Sequence, residues 1–152
     1  MGVVQSTNRG ETMKGTGFFK AGAVILILTA CVHMIGFFQE PASENEAEKT
    51  LIDLMKNYQM ELPGAQRTMM NIMDFFSLSY AMFTALIGIF NLWILRQGLN
   101  ASLIKKIIRW NAVYWTIYLI PLYVYTFLFP QAFTTLAWLC FMAALIISRK
   151  AE

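Results

Sequence analysis

Four long hydrophobic runs separated by short polar segments dominate the chain. They cover about residues 17–38, 68–95, 107–129 and 132–148. A bilayer core of roughly 30 Å is crossed by about 20 mainly apolar residues in an α-helix. The pattern therefore predicts an all-α membrane protein, an antiparallel bundle of four transmembrane helices. Pro130 divides the third run from the fourth and leaves room only for a tight turn, so those two helices are predicted to be antiparallel neighbours.

The connection between the first two runs carries a fifth helical pattern. Ser43 is followed three residues later by Glu46, as in a capping box, and Pro63-Gly64 marks the end of the pattern. We expect one extracytoplasmic amphipathic helix over about residues 43–62, serving as an interfacial connector, as a lid over an outward cavity, or as a docking helix for a partner. Its apolar positions recur at helical spacing: Ala47, Leu51, Leu54, Met55, Tyr58 and Leu62.

Composition supports the membrane class. Hydrophobic residues make up 57% of the chain and charged residues 14%, whereas ordinary soluble domains carry about 25% charged residues. The net charge is +3, but the basic residues lie beside apolar runs instead of forming a basic face with interleaved aromatic residues. Nucleic acid is therefore not expected as a partner, and the basic residues are interpreted as topology signals.

Lys and Arg flank one side of the predicted bundle. They occur in the N-terminal arm, in the second connection and in the tail, while the first connection has three basic residues against six acidic ones. By the positive-inside rule, both termini are predicted to be cytoplasmic in a multi-pass inner-membrane protein. The expected organisation is a cytoplasmic arm over 1–16, a transmembrane domain over 17–148 and a cytoplasmic tail over 149–152.

The stretch Leu28-Thr29-Ala30-Cys31 has the form of a lipoprotein cleavage box. The apolar run continues past Cys31 to Phe38, however, and cleavage would leave an odd number of spans that conflicts with the charge distribution. A retained helix, with Cys31 as a small packing residue, is the favoured interpretation. The chain has two cysteines and one histidine, so neither a metal site nor a bound cofactor is predicted.

The sole histidine, His33, lies inside the first run, and Asp74 lies at a similar predicted depth in the second. Ionisable groups inside a membrane are costly and usually turn toward the bundle interior. We expect the two side chains to converge beneath the extracytoplasmic surface, where a carboxylate would favour the charged imidazole. Two alternatives remain open. His33 is also compatible with a packing role, and Asp74 with a place among the headgroups at the start of its helix.

Four further residues complete the predicted ligand site. Asn71 and Arg67 extend the polar stripe of the second helix toward its outer end, where Arg67 is either an anion ligand or a snorkelling anchor. Tyr118 and Tyr125 belong to the stripe expected to face inward on the third helix: Ile107, Asn111, Tyr114, Tyr118, Pro121 and Tyr125.

The runs LTACVHMIGFF (28–38) and RTMMNIMDFFSLSYAMF (67–83) resemble recurring segments of small four-span bacterial inner-membrane proteins. In size and number of spans the chain is also similar to the DoxX-like and emopamil-binding-like groups. This resemblance implies the fold and the location, and it implies no activity.

The sequence therefore predicts a membrane protein that binds a small hydrophobic or lipid-like ligand in a pocket open to the outer leaflet. Its partners would be membrane lipid and that molecule, with a homodimer or a larger membrane complex as the oligomeric alternatives. A second hypothesis is a structural or regulatory subunit of such a complex. A third is a proton-linked enzyme or carrier that uses His33 and Asp74.

Overall fold

The computed structural model describes residues 14–40 and 42–150, and this part of the chain is helical apart from one small hairpin. The expected arm over 1–16 therefore lies mostly outside the described residues, as does the end of the expected tail. The elements in chain order are α1 (Thr16–Phe37), α2 (Glu46–Asn57), β1 (Gln59–Leu62), β2 (Ala65–Thr68), α3 (Met69–Arg96), α4 (Ala101–Tyr125) and α5 (Leu128–Arg149).

Three of the described helices, α1, α3 and α5, are long and apolar enough to cross a membrane. The chain is thus a multi-pass membrane protein. α4 has 25 residues, which is sufficient length, but it is less apolar than the other three. Its first turns contain basic residues, and tyrosine, tryptophan and asparagine occur among its aliphatic side chains.

The long helices pack in a definite order, in which α1 lies between α3 and α5, and α4 packs against α5. Small residues permit the closest approaches. A Cβ added at Gly88 of α3 would lie 2.7 Å from the carbonyl oxygen of Ala23, and one added at Gly22 would lie 2.8 Å from the Phe141 ring. Such contacts are typical of membrane helices, whose backbones approach at glycine. Because early α1 meets late α3 and late α5, these neighbours are antiparallel.

Side-chain hydrogen bonds add polar links between helices. Asn91 of α3 and Asn111 of α4 join their amides through two hydrogen bonds of 2.7 and 3.2 Å. On the other side of α4, the Trp138 indole donates to Thr116 Oγ1 at 2.8 Å. These pairs satisfy polar groups that lipid cannot satisfy.

Burial is uneven along the bundle. In α1 the buried residues end at Ala30, in α3 they begin at Ala81, and in α5 they begin at Thr134. The ends of α1, α3 and α5 that adjoin the hairpin are therefore packed more loosely than the opposite ends. We call this part of the bundle the hairpin end.

The connection between α1 and α3 differs from the helix expected over 43–62. Asn45, not Ser43, caps α2, because its side-chain oxygen accepts from the Glu48 backbone N–H at 2.9 Å. α2 ends at Asn57, and the remaining residues form the hairpin. Its turn is Pro63-Gly64, and Gly64 has φ 82°, the positive angle that a type II turn needs at its third residue. The apolar residues before the turn alternate in a strand and do not continue a helix.

The bounds of α4 and α5 also differ from those expected, 107–129 and 132–148. α4 begins earlier because the Asn100 side chain caps it by accepting from the Leu103 backbone N–H at 2.8 Å. The break between the helices falls at Thr126 and Phe127. Pro130 lies in the first turn of α5, where its missing N–H has no helical partner to lose.

The buried face of α4 is rotated by one residue from the stripe expected to face inward. Its buried residues are aliphatic and aromatic, whereas the predicted polar stripe is half-buried or exposed. The buried residues are Ile104, Ile108, Ala112, Trp115 and Leu122.

Gly88→Ala is expected to destabilise the bundle. The added methyl would meet the α1 backbone, and overpacking of this kind costs about 1–3 kcal/mol. Gly17→Ala is the matched control, since a Cβ there has no neighbour within 4 Å; it should be neutral or stabilise by up to about 1 kcal/mol. Unfolding of both variants in detergent, followed by circular dichroism, measures the difference. Equal stability of the two variants would contradict the close helix contact.

The Asn91–Asn111 amide pair predicts coupling between the two positions. Asn91→Leu and Asn111→Leu should each destabilise, because each leaves one amide without its partner, and the double variant should lose less than the sum. We expect a coupling free energy of about 0.6 kcal/mol, up to about 1.7. A double-mutant cycle on unfolding free energies provides the measurement, and strict additivity would exclude the pair as a stabilising link.

Candidate functional site

A cleft of about 530 Å³ opens between the hairpin ends of α1, α3 and α5. This volume falls within the usual range of small-molecule sites, about 300–1,000 Å³. All three helices that border it are candidate membrane spans. The lining residues are Thr29, Val32, His33, Ile35, Gly36, Phe37, Gln39, Ser77, Tyr80, Phe127, Phe129, Pro130 and Phe133.

His33 is the most unusual group in the cleft. Its side chain is half-buried, and its Nε2 atom is buried with no hydrogen-bond partner among the described residues. The imidazole packs edge-on against the Tyr80 ring, with ring centroids 4.9 Å apart. A buried nitrogen that makes no hydrogen bond is unfavourable by about 1–3 kcal/mol. The Ser77 backbone lies near enough to the imidazole to interact with it electrostatically, but no hydrogen bond satisfies Nε2, so this nitrogen has unused hydrogen-bonding capacity.

Tyr80 interacts with side chains of α5 and α4 as well as with His33 of α1. Its hydroxyl lies 3.4 Å from Thr134 Oγ1 of α5, at the long end of hydrogen-bond distances. On the α4 side, Tyr80 lies near enough to Tyr118 for the two side chains to interact electrostatically. One side chain of α3 thus contacts or influences groups on the other three long helices.

Asp74 does not form the predicted charged pair with His33. Asp74 takes part in no ion pair among the described residues and is absent from the lining of the cleft. It is half-buried one helical turn before Ser77, the α3 residue that does line the cleft. The carboxylate therefore lies nearer the start of α3 than the groups that border the imidazole.

The other predicted ligand residues have different local roles. Asn71 forms a capping box with Thr68 at the start of α3, and Arg67 lies on β2, where its guanidinium donates to the Gln66 carbonyl oxygen at 2.7 Å. Tyr125, at the end of α4, is 83% exposed. Tyr118 is half-buried and stacks on Tyr114 beside the cleft without lining it.

Sequence reasoning missed most of the cleft wall. Tyr80 was not assigned to the polar stripe of α3, although it lies three residues after Ser77 and therefore on nearly the same helix face. Phe127 and Phe129 were missed because the third run was expected to continue as helix to Phe129, and Phe133, in the fourth run, was not assigned to the site. With the break at Thr126 and Phe127, these phenylalanines surround the start of α5 instead.

The cleft is uncharged as well as apolar. None of the described residues that line it is Lys, Arg, Asp or Glu. Within the described parts of the chain, no three His, Cys, Asp or Glu side chains are grouped as a metal site requires. The arrangement suits recognition of an apolar molecule with a small polar group.

An ion pair ties α2 to the end of α1 beside the cleft. Lys56 Nζ donates to Glu40 Oε2 at 2.6 Å, and Gln39, which precedes Glu40, lines the cleft. The hydrogen bond from Lys56, together with its positive charge, lowers the pKa of the Glu40 carboxyl. The pair is therefore complete at neutral pH and is lost only when acid protonates Glu40.

No protein-family model, curated protein or solved structure matches the chain. The similarity to four-span bacterial proteins thus remains a prediction, and the function has to be argued from the cleft.

His33→Phe is expected to leave the stability of the empty protein unchanged or to raise it by about 1–3 kcal/mol. Phenylalanine keeps an aromatic ring beside Tyr80 and removes the nitrogen that makes no hydrogen bond. Unfolding in detergent after removal of co-purified molecules measures the change. Tyr80→Ala is the comparison, expected to destabilise by about 3–5 kcal/mol as large aromatic truncations do. A large loss of stability in His33→Phe would indicate that the imidazole is a structural hydrogen-bonding group.

Proposed function

We propose that the protein is a four-span inner-membrane protein that binds a small hydrophobic or lipid-like ligand in the cleft between α1, α3 and α5. α4 is the fourth span in this proposal. Its 25 residues measure about 37 Å at 1.5 Å per residue, and it packs along α5 through side-chain hydrogen bonds. Basic residues at its start then lie at the cytoplasmic surface.

The charge distribution orients this bundle. The start of α1, the end of α3, the start of α4 and the end of α5 carry basic residues: Lys14, Lys20, Arg96, Lys105, Lys106, Arg109, Arg149 and Lys150. If that side is cytoplasmic, the hairpin end faces outward and the cleft opens into the outer leaflet. α2, tied to α1 by the Lys56–Glu40 pair, then lies at the outer surface beside the opening.

The observation that carries the proposal is the buried Nε2 of His33 in an apolar cleft of ligand size. Small-molecule sites are typically apolar concavities with a few polar groups that orient the ligand. A hydrogen-bonding group of a bound molecule would satisfy this nitrogen and recover the free energy that its burial costs. The aromatic and aliphatic wall would supply the remaining affinity through burial of apolar surface.

The same geometry favours binding over the proton-linked enzyme or carrier. That hypothesis used His33 and Asp74 as a coupled pair, and no ion pair joins them among the described residues.

Molecules that co-purify with the protein test the proposal. Mass spectrometry of protein extracted from native membranes should detect a hydrophobic compound retained by the wild type and reduced about tenfold or more in a variant with a filled cleft, Gly36→Phe. Gly36 lines the cleft, and a Cβ there meets no atom within 4 Å, so the added ring can enter the cleft without a backbone clash. Asp74→Asn is the matched control and should retain the compound.

Two results would overturn the proposal. One is equal retention by the wild type and by folded Gly36→Phe. The other is loss on Asp74→Asn with retention on Gly36→Phe, which would place the ligand at the start of α3 instead.

A further inference from the structure

We propose that the cleft selects an uncharged molecule with an aromatic ring and a hydroxyl group, as in a phenol or a hydroquinone with an apolar tail. This inference rests on the proposed function and specifies its ligand class. It draws on three features of the cleft: the lack of charge in its lining, the aromatic side chains of its wall and the buried nitrogen of His33.

The lining excludes ionised ligands. A carboxylate or phosphate in an apolar cleft needs a cationic partner to offset its lost hydration, and none of the described lining residues is Lys or Arg. The nearby acidic residue Glu40 is paired with Lys56, which leaves that lysine engaged outside the cleft. A cationic ligand has no lining carboxylate either. The ligand therefore enters without a charge.

The wall is rich in aromatic rings from all three helices. They are contributed by Phe37 of α1, Tyr80 of α3, and Phe127, Phe129 and Phe133 around the start of α5. Aromatic groups prefer offset or edge-to-face contact with other rings, and each such pair adds to the effect of simple burial. A flat ring can contact several of these side chains at once, whereas a single acyl chain makes no ring-to-ring contacts with them.

The nitrogen of His33 determines which polar group of a ligand binds best. Neutral imidazole has one donor nitrogen and one acceptor nitrogen. A hydroxyl group both donates and accepts, so it pairs with Nε2 in either tautomer, whereas a carbonyl oxygen pairs only with a protonated Nε2. Nε2 forms no hydrogen bond to a described residue, so a ligand hydroxyl would compete only with the electrostatic interaction between the imidazole and the Ser77 backbone.

A series of matched probes tests the inference. Wild-type protein in nanodiscs of a saturated phosphatidylcholine is given equimolar 4-hexylphenol, hexylbenzene, 4-hexylbenzoate and decan-1-ol. The bound amounts are read by native mass spectrometry and divided by each probe's uptake into empty nanodiscs. The phenol should exceed hexylbenzene by about two- to tenfold, the effect of one hydrogen bond. It should exceed decanol by a similar factor because of its ring, and benzoate should bind least.

Variants connect the preference to its residue. In His33→Phe the ratio of bound phenol to hexylbenzene should fall to about one while hexylbenzene still binds. Tyr114→Phe is the control, since it removes a hydroxyl outside the cleft and should keep the wild-type ratio. If folded His33→Phe still binds more phenol than hexylbenzene, the proposed contact between the ligand hydroxyl and His33 is wrong.

The other outcomes separate this inference from the proposed function. Preferred binding of benzoate or decanol would overturn the ligand class while the cleft remained a binding site. Equal binding of phenol and hexylbenzene by the wild type would also overturn the ligand class and leave the cleft as a binding site. Failure of every probe to exceed its uptake into empty nanodiscs, together with the absence of a co-purified compound, would overturn both.

Discussion

Lipid offers no hydrogen bonds, and the rest of this structure depends on that constraint. Each polar group inside the bundle has to find a protein partner, and helices gain little from excluding one another's apolar surface from lipid. The helices are held together by close contacts at glycine, such as Gly88 against the α1 backbone, and by hydrogen-bonded side chains, such as Asn91 with Asn111. The first contact holds α3 against α1 and the second joins α3 to α4, while α1 and α4 each also pack against α5.

His33 departs from that rule. Two buried side-chain nitrogens of the described residues lack a hydrogen-bond partner, Nε2 of His33 and Nε1 of Trp115; only His33 lines the cleft, whereas Trp115 lies in the packed core. A group that violates a local rule of stability is a functional candidate, because such violations concentrate at sites. The imidazole also lies where packing is weakest, beyond the last buried residue of α1. The unsatisfied nitrogen and the cleft therefore lie in the same loosely packed part of the bundle, whereas the opposite end is closely packed.

Much of the fold was predictable because it follows from hydrophobic length and small-residue spacing. The stripe Ala81, Thr84, Gly88 and Asn91 of α3 can be read directly from steps of three and four residues, and these residues are buried in the structure. The predicted face of α4 was wrong by one position. Its tyrosines suggested an inward polar stripe, but Trp115 and the aliphatic residues pack inward, and the tyrosines lie at the sides. Aromatic residues with polar tips fit both environments, so periodicity alone does not orient such a helix.

The candidate site was less predictable for a geometric reason. Depth along a helix can be estimated by counting residues, and this count predicted similar depths for His33 and Asp74. The lateral position of a side chain depends on which helices are neighbours. The order of the helices along the chain does not specify that α5, and not α4, borders the cleft. The wall also depends on where α5 begins. Moving that start from Ala132 to Leu128 turns two phenylalanines, Phe127 and Phe129, from the end of one helix into the border of a cavity. The helix break falls before Pro130 and not at Pro130, and this moves the start of α5 by about one helical turn. The position of that start therefore decides whether His33 faces an aromatic cleft or the hydrocarbon of the bilayer.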